Sequence, residues 1–505
     1  MTAVANYLQQ VRSRQMVRPW ALCAPVVVLL IALPLLRPLR APGEVAEGEL
    51  TRLATIQSLV EYDGQVINPT PFFDALRELP PPGQAADRPT LPVLRPSDGD
   101  IPGTIRVADK YYSDQPPVMS YLLSWPYALM YHLLGWDFQH NPALVAYLLT
   151  LLGVTLPVAG AAGLIYRMGR MFELKRPYRT GLALAVVLGS GLVSYATVLN
   201  PHAPAAALVL AACACLFHVT VARRPARTGA WLMTCGLCAS AAAVIDVSAG
   251  LFLALLGLVI LAYRWNWTMR VGGVLLYLIG ATPPILLHAV LTVPVTGDLR
   301  PGFMHAELGA SRPAPSAVTA SAAPAAAFEE GDDVPRAPAW KVAAYRLLDR
   351  SLSAFVGTKG LLTHWPVVIV GLLGLSLVLR RHWPASTKVM AGVTLAATLL
   401  TIAATIVFRV DWTQAMFGPR WFVVFLPLTL FWAGAWLRKP HRAATWAVAG
   451  LLLAFSTAVS VVGATAPFVR ADPGQYTVAA AVRKLAGGEV AAGAPSRGRE
   501  ALARQ

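Results

Sequence analysis

Apolar stretches of about 20 residues with almost no charge recur along this chain, and nothing else in it restricts the fold so tightly, because a helix of that length spans a bilayer. They run 20 to 36, 118 to 134, 143 to 166, 180 to 199, 203 to 221, 230 to 247, 249 to 263, 271 to 292, 361 to 379, 388 to 408, 420 to 437 and 443 to 463. Inside hydrocarbon every backbone N–H and C=O must be satisfied by protein, and apolar runs of this length specify helices. Composition agrees, with 56% hydrophobic and 13% charged residues where a soluble chain carries about a quarter charged. A soluble enzyme, a disulfide scaffold and a disordered tail protein are excluded.

The net charge of +16 invites a nucleic-acid partner, but Lys and Arg fall mostly in short clusters between apolar runs. That is the pattern of loops obeying the positive-inside rule, so no nucleic acid is expected. Cys23, Cys213, Cys215, Cys235 and Cys238 all lie in apolar runs, where cysteine packs as a small hydrophobe. Arg12, Arg14 and Arg18 precede the first run as in a signal sequence, but Arg37, Pro38, Leu39 and Arg40 follow it. That leaves no small-residue cleavage site and reads as an uncleaved first span.

Orientation turns on the run 118 to 134. If it crosses, the basic stretch Arg167, Arg170, Lys175, Arg176 and Arg179 opposes the N-terminal arginines. If it lies in the interface, where Tyr121, Trp125, Tyr127, Tyr131 and His132 suit the headgroup level, every basic loop falls on one face. The chain is therefore expected to be an all-α polytopic membrane protein of about eleven transmembrane helices, twelve if that run also crosses. The N-terminus is then cytoplasmic and the C-terminus outside, in the cell (inner or plasma) membrane. The expected organisation is a cytoplasmic N-terminus (1–19), a first transmembrane helix (20–37) and an outer loop with amphipathic interfacial helices (38–142). A transmembrane core (143–292), an outer Ala/Pro-rich loop (293–360), more transmembrane core (361–465) and an outer tail (466–505) follow. Glu329, Glu330, Asp332 and Asp333 in the second outer loop read as a solvated charge cluster.

Two clusters carry chemistry. From Glu49 onward, Leu50, Leu53, Ile56 and Val60 recur at helical spacing, and Glu49 and Arg52 project from one side of that helix. A surface ion pair would look the same. The second cluster is Asp109-Lys110-Tyr111-Tyr112-Ser113-Asp114-Gln115-Pro116-Pro117, where the prolines forbid a helix just before them. It reads either as an interfacial aromatic anchor or as a site where a cation meets a lipid phosphate.

In this order after the first span, these clusters resemble the protein O-mannosyltransferase and aminoarabinose transferase branch of the GT-C glycosyltransferases. Gly48-Glu49-Leu50-Thr51-Arg52-Leu53-Ala54-Thr55 is similar to the acidic motif of that family, with Glu49 where Asp is usual, and Tyr112-Ser113-Asp114-Gln115-Pro116-Pro117 to its tyrosine-rich motif, with Gln115 in place of lysine. Leu199-Asn200-Pro201-His202 occupies the outer turn where relatives place a second Asp, Gly360-Leu361-Leu362 with Pro366 resembles the start of the span after the large outer loop, and Phe417-Gly418-Pro419-Arg420-Trp421 resembles a late Gly-x-Arg motif. The resemblance implies a membrane glycosyltransferase moving a sugar from a polyprenyl-phosphate donor to a protein, lipid or glycan acceptor outside the cytoplasm, with inversion. It implies Glu49 as catalytic base, Arg52, Lys110 and Arg420 on the donor phosphate, and Tyr112, Asp114, Gln115 and His202 on substrate. Cofactors stay open: a divalent metal near Glu49 and Asp114 has too thin a ligand set to assign. Asp246 either caps the span that follows it or serves the site, and Asp411 with Trp412 is a candidate wall of the same cavity. The competing functions are a membrane transporter or flippase, and a catalytically inactive glycosyltransferase-like subunit.

The orientation has a direct check. A cysteine introduced at Ala320 should react with a membrane-impermeant thiol reagent added outside cells, and reaction only after the membrane is opened would reverse the topology.

Overall fold

The structure, a computed structural model, describes residues 17–36, 47–77, 101, 103–222, 228–262, 267–305, 339–407, 417–469 and 475–486. It is built from helices α1 (Val17–Leu35), α2 (Glu47–Glu61), α3 (Pro71–Arg77), α4 (Val118–Leu134), α5 (Pro142–Phe172), α6 (Arg176–Gly189), α7 (His202–Ala222), α8 (Thr228–Ile245), α9 (Gly250–Ala262) and α10 (Trp267–Thr296). After these come α11 (Ala339–Val356), α12 (Leu361–His364), α13 (Val368–Arg380), α14 (Ala385–Val407), α15 (Leu426–Phe431), α16 (Ala433–Leu437), α17 (Ala443–Thr465) and α18 (Thr477–Leu485). The one departure among the described residues from an all-helical chain is an antiparallel hairpin, β1 (Thr104–Val107) with β2 (Lys110–Ser113).

Among the described residues six helices are long and apolar enough to cross a membrane: Pro142–Phe172, His202–Thr220, Thr228–Ile245, Arg270–Thr296, Ala385–Val407 and Ala443–Thr465. A seventh arises if Leu347–His364 and Val368–Arg380, bent by 93°, count as one broken span. Pro19–Leu35, Val247–Ala262 and Leu426–Leu437 are apolar but shorter. Twelve apolar runs in the sequence thus yield fewer full-length helices among the described residues, and the reasons are local. The run 361 to 379 breaks at Trp365 because Pro366 follows it and disfavours helical backbone there. The run 420 to 437 is divided between a 3-10 turn and two short helices, and every residue from Phe422 to Trp436 is buried, so its surroundings are protein.

The run 180 to 199 stays helical only to Gly189, after which Ser190–Asn200 is irregular and wholly buried. Non-helical backbone at this depth is tolerated where protein side chains satisfy it. Here Thr155 Oγ1 donates to Ala196 O (2.7 Å) and Asn200 Nδ2 to Val198 O (2.8 Å), while the stretch's own Thr197 Oγ1 and Ser194 Oγ tie it to α17 by donating to Ala464 O (3.0 Å) and Ser460 O (2.9 Å). Gly191 makes the turn with φ of 73°, and a Cβ there would lie 2.1 Å from the Trp365 indole. That indole is fully buried and donates to Ser460 Oγ (3.0 Å).

The bundle core is made by α7, the most enclosed of the long spans, packed against α5 and α8, with α8 crossing α10. The α4 helix exposes Leu122, Trp125, Leu129 and Leu133 on one face and buries Met119, Leu123, Tyr127 and Met130 on the other, the distribution expected for a helix lying in the interface. The α2 helix differs from a surface-lying amphipathic helix. Its polar residues Thr51, Arg52, Thr55 and Gln57 are as buried as Leu50, Leu53 and Ile56, because α3, α4 and β2 close over the side that water would occupy. The segment 293–360 contains α11, while its Ala/Pro tract and acidic run, like Asp411 and Trp412, lie outside the described residues.

Gly191→Ala should lower the unfolding midpoint of the detergent-solubilised protein, at a cost of about 2 to 4 kcal/mol from the left-handed backbone and the indole overlap. Gly181→Ala, where nothing lies within 4 Å of the new Cβ, should leave it unchanged or raise it slightly; equal effects at the two positions would refute the packing argument.

Candidate active site

The site begins with the first turn of α2. Glu49 is half-buried there, at the helix end whose dipole favours a carboxylate. Its Oε1 accepts the backbone N–H of Leu199 at 3.1 Å. That donor belongs to the buried irregular stretch, and the next residue secures its shape. Asn200 Nδ2 donates to Tyr195 O and to Val198 O (2.8 Å), while Asn200 Oδ1 accepts from Ala203 N (3.0 Å) at the start of α7. Tyr195 OH in turn donates to Phe417 O.

One turn after Glu49, Arg52 is 4% exposed. Its Nη1 donates to Gly48 O (2.6 Å) and its Nη2 to Gln115 Oε1 (2.7 Å), while the buried Nε has no hydrogen-bond partner. Gln115 Nε2 donates to Asp114 Oδ1 at 2.6 Å. The Asp114 backbone is clamped on both sides, its N–H on Gly103 O (3.0 Å) and its carbonyl accepting from Phe303 N (2.9 Å). Burial pulls the Arg52 guanidinium down to about 10, Asp114, Asp246 and Glu49 hold it up, and Arg420 pushes it down. It therefore remains a cation at neutral pH, and three acids and a second cation lie within its electrostatic reach.

The second half of the site comes from the bundle. His202, at the first position of α7, is buried, and its Nδ1 pairs with Asp246 Oδ2. The other oxygen of Asp246 accepts from Ser248 N (3.0 Å) and Ser248 Oγ (2.7 Å), so this acid both caps the turn before α9 and orients the imidazole. Trp421 lies edge-on to His202 at 5.5 Å, and the Arg420 guanidinium sits over the Trp421 ring at 4.6 Å. That stacking aims a permanent cation beside the imidazole.

Of the residues singled out in the sequence, the structure brings together Glu49, Arg52, Asp114, Gln115, His202 and Arg420. Tyr112 pairs with Ile105 and lines a narrow cleft shared with Thr55, Gln65, Gln115 and Leu291. Lys110 is not brought in. Ala108 and Asp109 both take positive φ (47° and 63°), the geometry of a two-residue hairpin turn. That turn puts Lys110 at the exposed tip, about 13 Å of extended strand from Asp114. Asp246, read from the sequence as either a cap or a site residue, does both, and Trp421, which carried no role beforehand, joins the site. The signal available for Asp246 was an acid set between two apolar runs; Trp421 had only its place next to Arg420. Among the described residues no three His, Cys, Asp or Glu side chains are grouped as metal ligands.

No family model matches the sequence, and no curated protein matches it. Among solved structures the chain is similar to the crystal structure of the Archaeoglobus fulgidus oligosaccharyltransferase in the apo form, at 11% identity and a TM-score of 0.40, over 89% of this chain and 56% of that one. The present chain thus spans little more than half the length of that protein. It is also similar to ArnT from Cupriavidus metallidurans in the apo state, at 14% identity and a TM-score of 0.35, over 89% of this chain and 78% of that one.

Gln115 links a buried cation to an acid, so restoring a lysine there would set an ammonium against Arg52. Gln115→Lys should destabilise the protein by about 2 to 3 kcal/mol, read as a lower unfolding midpoint; an unchanged midpoint would show that the guanidinium is not held as described.

Proposed function

We propose that the chain is a membrane glycosyltransferase that moves a sugar from a polyprenyl phosphate to an acceptor on the outer face of the membrane, with inversion. The observation that carries this reading is the buried guanidinium of Arg52, with an orphan Nε, held one helical turn from the carboxylate of Glu49. An acid with converging cations, set where an interfacial helix meets the bundle, can be reached by a lipid from one side and by a polar acceptor from the other.

In this reading the acceptor oxygen or nitrogen attacks the anomeric carbon on the face opposite the phosphate, and its proton passes to Glu49. The bond from the anomeric carbon to the phosphate oxygen breaks with its electrons on the leaving polyprenyl phosphate. Arg52 and Arg420 offset the charge that grows there, in a site where preorganised cations act more strongly than in water. The Leu199 N–H holds Glu49 in one orientation, which a general base needs. His202, its tautomer set by Asp246, contacts a sugar or acceptor hydroxyl, and Tyr112 walls the cleft. Gln115 and Asp114 support Arg52, in place of the direct substrate contact that the resemblance implied. Lys110, at the hairpin tip, takes no part in the step. A transporter would place such groups near the membrane midplane; here His202, Asp246 and Arg420 all lie at helix ends.

Glu49→Gln should reduce sugar transfer from a labelled polyprenyl-phosphate donor by about two to four orders of magnitude while the purified variant keeps its unfolding midpoint. Full activity in that variant would end the assignment of Glu49 as base, and no transfer by the wild-type protein across a panel of donor sugars would favour the inactive-subunit reading.

A further inference from the structure

At the opposite end of the bundle from Glu49, α13 and α16 end side by side and leave an open cavity of about 560 Å3. The buried segment Phe422–Trp436 connects the two ends, running from Arg420 at the site to Arg438 at the cavity. The cavity rim carries Arg380, Arg381, Arg438 and Lys439, and Trp383 forms a wall. Arg438 lies over the Trp383 ring at 5.2 Å and pairs with Glu173, which fixes one cation in place. Lys439 is held below its ordinary value by desolvation and by the neighbouring Arg381. Four cations gathered this closely repel one another, and an anion between them would relieve that repulsion.

Two further features say what kind of anion. Below the rim, the floor is apolar, made by Leu377 and Ala435. Leu377 continues a stripe with Ile369 and Leu373 at four-residue spacing, one face of α13, and both of those are exposed at 40% and 50%. A path for hydrocarbon therefore leads along the helix into the cavity. Beside it, Trp436 stacks on His441 at 4.1 Å and lies edge-on to Trp446 at 5.0 Å, an aromatic cluster of the kind that marks headgroup depth. A dissolved anion would use the rim alone, whereas a lipid uses rim, floor and stripe.

We propose that this cavity binds the phosphate headgroup of an anionic membrane phospholipid, with an acyl chain laid along Ile369, Leu373 and Leu377. Basic pockets between spans are suited to such headgroups. The site stands independently of the chemistry at Glu49.

The test uses the full chain purified in neutral detergent, titrated separately with short-chain phosphatidylglycerol, phosphatidylcholine of the same chain length, and inorganic phosphate. The unfolding midpoint should rise saturably with phosphatidylglycerol alone. In the Arg381→Gln/Lys439→Gln variant half-saturation should need about twenty-five-fold more lipid, each cation near an anionic surface being worth about a factor of five. An equal response to phosphatidylcholine, the same response to phosphate at equal concentration, or an unchanged titration in the double variant would each overturn the proposal. A second measurement needs no variant: photoactivatable phosphatidylglycerol in equimolar phosphatidylcholine and phosphatidylglycerol vesicles should crosslink the wild-type chain within 369–383 or 435–439. Crosslinks confined to other segments would overturn it.

Discussion

A guanidinium removed from water costs several kcal/mol unless its surroundings compensate, and the burial of Arg52 sets that demand at the centre of this protein. Its answer draws on segments far apart in the chain: Gly48 and Glu49 on the same helix, Asp114 and Gln115 beyond the hairpin, and Asp246 between two helices of the bundle. None of these can move without leaving a charge uncompensated. The described residues 47–77 and 103–113 are consequently part of the folded body, closed over α2 by α3, α4 and the hairpin.

The anchoring works because the bundle presents fixed polar groups at this end. Where the run 180 to 199 leaves the helix, its carbonyls accept from the Thr155 hydroxyl and the Asn200 amide, and its own Ser194 and Thr197 hydroxyls tie it to α17. A regular helix through that stretch would satisfy its own N–H groups and have none to offer. The irregular one supplies the Leu199 N–H to Glu49 and starts α7 at His202, so the local loss of helix is what joins the interfacial layer to the spans.

The segment from Arg420 to Lys439 links two charged places with different physics. At one end a single arginine stacks on Trp421 within a partly buried cluster of acids and cations. At the other, arginines and a lysine meet over an apolar floor at the end of the helices. The first suits stabilisation of a charge that develops during a reaction; the second suits a standing anion.

The sequence by itself determined that the chain is helical and membrane-embedded, since apolar runs of bilayer length leave no other way to satisfy the backbone. It also singled out Glu49 and Arg52 as candidates by their helical spacing, and His202 and Arg420 through motifs that resemble a known family. It did not separate full-length spans from buried broken segments, since Phe422–Trp436 is as apolar as a lipid-facing helix and periodicity carries no record of whether the neighbours are lipid or protein. Nor did it exclude Lys110, whose distance from Asp114 is set by a turn of two residues. Tertiary structure alone decided that Gln115 serves Arg52 and that Asp246 meets His202, because contacts across more than 40 residues of chain depend on how the elements pack and leave no local pattern to read.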